Sequence, residues 1–255
     1  MDSNRFKVPV TDYMTRPVAT LARTQYLSAA EQTFRQNDIS ALAVTDDRGH
    51  PIGVISRTDL LRAGHLEIGQ TLRLPKVSVE SVMSYPPLTV GADASVIDAA
   101  QLMLQGDVHR VFVIDGDDLV GVVSSRDLMR AVRDLDVMTR IDTIAAKSVI
   151  TIGTRDTLGL ATDRLDLSNK HGLVVVEGVW PVGVFAQPDA LIARSRDPET
   201  FVEDVMDSRV IALPGDVPLR RAATQALAMG IRRLFVVGDG LEGVVSGLDF
   251  ARAIQ

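Results

Sequence analysis

GVISRTD at 53–59, GVVSSRD at 121–127, GVFAQPD at 183–189 and GVVSGLD at 243–249 are four copies of one seven-residue phrase. Each opens on glycine, runs through a short apolar stretch and closes on an aspartate: Asp59, Asp127, Asp189 or Asp249. Ser56, Ser124 and Ser246 stand three residues before that aspartate, and the third copy carries Ala186 instead. The opening glycines, at 53, 121, 183 and 243, are 68, 62 and 60 residues apart. Self-similarity at such a period marks a supersecondary unit repeated in tandem.

Outward from each phrase the same pattern recurs. In the first unit VTDYM at 10–14 reads as a helical turn and 17–21 as a short strand. Leu27, Ala30 and Phe34 then fall on one helical face. Residues 41–46 and 51–55 read as strands around a turn at 47–50, and a helix runs from Ser56 to about Ala63, with Gly64 as its stop. The helical triad recurs as Val96, Ala99, Met103, then Leu158, Ala161, Leu165, then Leu219, Ala222, Ala226. Asp115-Gly116 marks a hairpin in the second unit. The expected class is α/β (α+β), with four units of β-α-β-β-α type at about 10–64, 79–133, 141–195 and 202–255. A fragment of about 60 residues buries too little surface to be comfortable alone. Pairing is therefore expected, units one and two within 1–135, and units three and four within 136–255.

Composition narrows the chemistry. There is no cysteine, which excludes disulfides, thiolate nucleophiles and zinc–thiolate sites. The net charge of −6 argues against a general grip on nucleic-acid backbones. No apolar run approaches the roughly 18–20 residues that cross a bilayer, and MDSNRFKVPV has no apolar signal core. A cytoplasmic protein without a membrane contact is expected. His50, His65, His109 and His171 are scattered, without metal-ligand spacing, and no GxSxG, P-loop or paired carboxylate stands out. No enzyme, catalytic residue, metal or required cofactor is expected.

The openings VTDYM-TRPV, VESVM-SYPP and VEDVM-DSRV, with the closing G-apolar-apolar-S-x-x-D phrases, resemble the CBS domain, named after cystathionine β-synthase. The resemblance spans essentially the whole chain. It implies two Bateman modules, each a pair of CBS units, in an architecture similar to the γ subunit of AMP-activated protein kinase. It also implies clefts that take AMP, ADP, ATP or an S-adenosylmethionine-like adenosyl compound, and a role in sensing rather than catalysis.

The residues of the phrase suit that role. A helix that starts straight after a strand aims free N–H groups and its positive dipole end at a cleft, a ready phosphate site. The serine hydroxyl can donate to a phosphate, and the aspartate can accept from two ribose hydroxyls. The same spacing is also a variant of the capping box, which needs no ligand. Both readings stand, and they are compatible.

A phosphate also needs a cation. The resemblance places basic residues at the start of the second strand, here His109-Arg110 in unit two and Arg232-Arg233 in unit four, against Ser40-Ala41 in unit one. Unit three has His171-Gly172, with Lys170 before it. Ser124, Asp127 and Arg110, and Ser246, Asp249 and Arg233, thus make the two full sets, with His109 and Arg232 behind them. Ser56 and Asp59 lack a cation of their own unit, and unit three, without its serine, is the expected vacancy. A cation of one unit can serve its partner's cleft, and the sequence leaves that open. Adenine contacts are implied at Thr15 to Val18, Ser84 to Leu88, Lys147 to Val149 and Ser208 to Ile211. Tyr85 is a candidate for stacking, and Trp180 for packing or a contact between modules.

The expected function is an adenine-nucleotide sensor that reports to a partner protein or to a second copy of itself through CBS surfaces. A ligand-free interaction scaffold ranks second and a single-stranded nucleic-acid binder third.

Overall fold

The computed structural model describes residues 3–37, 39–64, 73–168, 172–193 and 195–255. Unit one contains β1 (Thr20–Ala22), α1 (Leu27–Asn37), β2 (Ala41–Thr45), β3 (Pro51–Ser56) and α2 (Arg57–Ala63). Unit two contains β4 (Thr89–Gly91), α3 (Val96–Gln105), β5 (Arg110–Asp115), β6 (Asp118–Ser124) and α4 (Ser125–Asp134). Unit three contains β7 (Thr151–Gly153), α5 (Leu158–Ser168), β8 (Gly172–Glu177), β9 (Trp180–Ala186) and α6 (Gln187–Ala193). Unit four contains β10 (Ala212–Pro214), α7 (Leu219–Met229), β11 (Arg233–Val237), β12 (Leu241–Ser246) and α8 (Gly247–Arg252).

Every unit makes one three-stranded sheet in chain order. Its first two strands are parallel, and the helix between them supplies the crossover that a parallel pair needs. The last two form an antiparallel hairpin. At the tip of the second hairpin Gly116 has φ +60°, a conformation that L side chains rarely adopt. The four helical triads are buried as their spacing requires.

The opening turns do not pack on their own units. Val10 and Met14 belong to the core of unit two, Val79 to that of unit one, Val202 to that of unit three, and Ile141 to that of unit four. The backbone repeats the exchange. Thr15 N–H donates to Val122 O at 2.8 Å and Val122 N–H to Thr15 O at 3.1 Å. Val54 with Ser84, Ala146 with Val244, and Val184 with Asp207 make the same reciprocal pair. The first N–H groups of α1, α3, α5 and α7, which have no acceptor within their own helix, donate to Val77 O, Val8 O, Thr200 O and Thr139 O. Units one and two are laced together in this way, and so are units three and four.

The phrase glycines follow from the exchange. A Cβ on Gly121 would overlap the Met14 side chain, one on Gly53 or Gly183 would meet Met83 or Met206, and one on Gly243 would crowd Ala145.

The two halves of the chain meet through helices. α4 packs on α7 and α8, and α3 on α8, so units two and four share one continuous core. Units one and three keep separate cores and meet where α2 touches α6. Trp180, a candidate for packing or a contact between modules, is 50% exposed at the start of β9, paired across the hairpin with Glu177. Among the described residues no helix is long and apolar enough to cross a membrane.

Gly121→Val should lower the unfolding free energy by about 2 kcal/mol through overpacking. Adding Met14→Ala should recover part of that loss, as read from urea melts of the two single variants and the double variant. Strict additivity would mean that the two side chains do not meet.

Candidate functional site

The sheets and helices border a partly open cavity of about 980 Å³ lined by residues of all four units. Ser40, Ser56 and Asp59 come from unit one, and His109 and Arg110 from the start of β5 in unit two. Asp189 comes from α6 in unit three, and Arg232 and Arg233 from the start of β11 in unit four. Ser84, Pro86, Pro87 and Leu88 form part of the wall, placed there by the exchanged strand that follows the second opening turn.

Seven arginines and four aspartates are among the described lining residues, in a chain whose net charge is −6. At the centre, Arg110 Nη2 donates to Ser40 Oγ at 3.0 Å, and Arg232 Nη2 reaches the same oxygen at 3.4 Å. Burial, assisted by the neighbouring Arg232 charge, pushes the Arg110 guanidinium down to about 10. Burial also lowers Arg233, against the pull of Asp189 and Asp207. Two guanidinium groups are thus gathered on one hydroxyl, with the Asp127 charge also favouring the Arg110 cation.

The phrase serines and aspartates act as caps wherever both are present. Asp59 Oδ2 accepts from Ser56 N at 2.8 Å and from Ser56 Oγ at 2.6 Å. Asp127 with Ser124, and Asp249 with Ser246, repeat this at 2.7 Å for both bonds. In unit three the Ala186 N–H still donates to Asp189 Oδ2 at 2.8 Å, so the backbone half of the cap survives the loss of the serine.

The outer oxygens separate the four aspartates into two classes. Arg130 holds Asp127 Oδ1 at 2.5 Å and also reaches Tyr13 O, and Arg252 holds Asp249 Oδ1. Both carboxylates are buried, and neither lines the cavity. The residues at the matching positions in units one and three are Arg62 and Ile192. Arg62 turns instead to Gln187 Oε1 at 3.0 Å. No arginine of the same helix is bonded to Asp59 or Asp189 among the described residues, although the Arg233 charge of unit four acts on Asp189. Burial raises the Asp189 carboxyl above its usual range, although the Ala186 N–H and Arg233 pull the other way.

The cavity therefore combines the carboxylates of units one and three with the basic strand starts of units two and four. Within units two and four, Ser124 stands across the hairpin from Arg110 and Ser246 from Arg233, and the Asp127 charge favours the Arg110 cation, but only the two arginines are part of the cavity wall. Thr15 is exposed, bonded through its backbone to Val122, and lies outside the cavity wall. Tyr85 is 76% exposed and is also not part of the wall. Lys170 and His171 lie outside the described residues.

Four lining arginines were not singled out from the sequence: Arg57, Arg62, Arg126 and Arg209. Arg57 and Arg126 stand inside the phrase itself, so their signal was present. Arg57 also donates to Ile39 O at 2.8 Å and Phe34 O at 3.0 Å, closing the end of α1.

The family model described as CBS domain matches residues 10–66, 79–134 and 202–255, which are units one, two and four. Protein MJ1404 of Methanocaldococcus jannaschii is 33% identical over 136 residues, 49% of this chain and 32% of that protein. The CBS domain-containing protein YhcV of Bacillus subtilis is 30% identical over 119 residues, 47% of this chain and 81% of that one. The chain thus spans about a third of the length of the first of these curated relatives. The crystal structure of protein MJ1225 of M. jannaschii, proposed as an archaeal homologue of γ-AMPK, superposes with a TM-score of 0.78 at 18% identity. That alignment covers 97% of this chain and 100% of the other, so the fold is shared throughout, unit three included.

Because the folded-state pKa of Asp189 is raised, its contribution to stability is full below the unfolded value of 3.8 and is lost as pH climbs through the raised value. Asp189→Asn keeps an acceptor for the Ala186 N–H and removes the charge. In ligand-free buffer, urea melts from about pH 4 to 7 should show the variant gaining on the parent as pH rises. A pH-independent difference would contradict the burial of this carboxylate.

Proposed function

The chain belongs to the CBS domain family, and from this we propose that it is a regulatory protein that binds an adenosyl nucleotide in the central cavity and reports its occupancy to a partner protein. The observation that carries the reading is the arginine centre at Ser40, half-buried and open to the cavity, with two phrase carboxylates in the same wall. Phosphate oxygens belong at Arg110, Arg232 and Arg233. Ribose hydroxyls donate to the outer oxygen of Asp59, whose inner oxygen stays with its cap. The segment from Ser84 to Leu88 offers prolines and main-chain groups to the base. AMP, ADP, ATP and S-adenosylmethionine-like compounds share this chemistry, and the phosphate-bearing ones fit the cation centre best. We read residues 1–135 and 136–255 as the two Bateman modules, because the opening turns are exchanged within those limits.

Ser124 with Asp127 and Ser246 with Asp249 are candidates for a second class of site. They would bind only once Arg130 and Arg252 have been drawn off their carboxylates. Thr15, beside Val122 in β6, lies on the unit-two side of that class.

A ligand seated in this way draws on units one, two and four, so it favours the arrangement in which they converge, by no more than its difference in affinity for the alternatives. No catalytic step is assigned. The surface that reads the change is sought on unit three, where Leu160, Leu167, Val179, Trp180 and Phe201 are exposed apolar side chains.

Titration with AMP, ADP, ATP and S-adenosylmethionine, followed by calorimetry and thermal melting, tests the proposal. At a hundred times the dissociation constant, a true ligand should stabilise the fold by about 2.7 kcal/mol. Asp59→Asn and Arg110→Met should each weaken it by about 10- to 100-fold. No response to any of the four compounds would sink the reading.

A further inference from the structure

We infer that the end of unit three carrying the β8–β9 hairpin docks a protein segment whose apolar face is flanked by lysines or arginines. This names a partner class for the regulatory reading above, and rests on that reading only for what the docking reports. The surface itself is argued from unit three.

The four units serve as controls for one another. Leu160, Trp180 and Phe201 are exposed. Leu160 lies two residues after the first member of its helical triad, where the other units have Ala29, Asp98 and Arg221. Phe201 directly precedes an opening turn, where the others have Pro9, Ser78 and Arg140. Trp180 closes its hairpin opposite Glu177, as Asp118 does opposite Asp115, His50 opposite Asp46 and Gly240 opposite Gly238. No other unit puts a large apolar side chain at any of these positions. The fold therefore does not call for one there.

Topology brings the three to one end of the unit. β7 runs parallel to β8 with Gly153 opposite Val176, so β7 ends where the hairpin turns. Thr154 N–H donates to Val176 O at 3.2 Å, and α5 begins just beyond. Phe201 is bridged to Thr157, whose hydroxyl accepts from Leu160 N–H at 3.3 Å. Val179, also exposed, carries the surface towards unit four, where its carbonyl accepts from Leu241 N–H at 3.0 Å.

Charge selects the occupant. Glu177 faces Trp180 across the hairpin, and Glu203 N–H donates to Thr154 O at 3.1 Å. Asp239 and Glu242 flank Gly240 and Leu241, with the Glu242 carboxylate lying over Gly238. Against these four carboxylates stand Arg155, beside Thr154, and Lys147, whose stem approaches Gly243. Exposed apolar side chains within a mainly acidic setting complement a segment that brings cations around an apolar face. A two-fold contact with a second copy would set the same carboxylates against themselves. An anionic lipid surface would meet them too.

Trp180 is the only tryptophan in the chain, so its emission reports directly on this surface. The full chain, without nucleotide, is titrated with a helical peptide bearing leucines at i, i+3, i+4 and i+7 and lysines on the flanks. The controls are the same peptide with glutamates for lysines and a scramble of the first. The first peptide should shift Trp180 emission to the blue and bind at least about tenfold tighter than either control. Phe201→Ser and Leu160→Ser, whose folding urea melts confirm, should each weaken it by about tenfold. No binding, or equal binding of the scramble, would overturn the inference, the latter leaving a general attraction of cations to an acidic chain. Binding indifferent to both substitutions would place the peptide elsewhere and overturn it as well. Sedimentation that shows a dimer dissolved by Phe201→Ser would give the surface to a second copy. A blue shift with anionic phosphatidylserine vesicles, absent with the peptide, would give it to lipid. Because no nucleotide is added, failure here leaves the nucleotide reading standing, and failure of that reading leaves this result standing.

Discussion

The side chain that closes each opening turn rests on the phrase glycine of the neighbouring unit, and the rest of the molecule depends on that exchange. Met14 lies on Gly121, Met83 on Gly53 and Met206 on Gly183, with Ala145 against Gly243. A larger residue at any of these glycines would push out the partner's turn. The turn brings with it the strand that pairs beside β3, β6, β9 or β12, and a carbonyl that meets the first N–H of the partner's helix. One unit alone would lose core side chains, a strand pairing and a helix cap together. The small size of a unit is thus offset by reciprocal completion, which explains why the repeat comes in pairs.

The pairs then join unevenly. Units two and four merge through α3, α4, α7 and α8 into a core that runs from Phe6 to Ile254. Gly247, in the first turn of α8, comes so close to Ser125 in the first turn of α4 that a Cβ would collide with it. Units one and three keep separate cores and touch at α2 and α6. The cavity wall takes its carboxylates from this less consolidated side and its central arginines from the merged side. The cations are therefore set on the firmer foundation, and the carboxylates on the elements held by fewer apolar contacts.

Most of the fold was legible because the repeat multiplies weak signals. Any one of the helical triads, such as Leu27, Ala30 and Phe34, could be an accident; four in register with four glycine-led phrases could not. The exchange of opening turns was not legible, because a turn that packs on its own unit and one that packs on its neighbour share the same apolar spacing. Met14 and Gly121, more than a hundred residues apart, carry no local sign that they meet. The site was half legible for the same reason. The phrase and the basic strand starts were visible, but their combination is set by which units face one another. Arg110 bonds Ser40 of unit one, and Arg233 feels the Asp189 charge of unit three, both across unit boundaries. One finer signal was in the sequence: Arg130 and Arg252 stand three residues after Asp127 and Asp249, where a helix brings them over the carboxylate, while unit three has Ile192 there. Arg62 shows the limit of that rule, since it has the same spacing from Asp59 yet bonds Gln187 instead.

The two classes of aspartate also bear on how a repeat of four equal phrases can come to serve different ends. The cap requires only the inner oxygen, and all four copies keep it, including the one with alanine in place of serine. Capping therefore preserves the aspartate whether or not a ligand is bound, and the phrase by itself cannot distinguish an occupied cleft from a structural one. The outer oxygen is the variable. Where an arginine of the same helix covers it, the carboxylate is neutralised within the fold, and a ligand would have to displace that arginine and leave a guanidinium without its partner. Where none covers it, as at Asp189, burial leaves the carboxylate short of donors and raises its proton affinity. Such a group gains most from two hydroxyl donors, just as the crowded guanidinium groups at Ser40 gain most from phosphate oxygens. The carboxylate raised by burial at Asp189 and the guanidinium groups gathered at Ser40 stand in the wall of the same space.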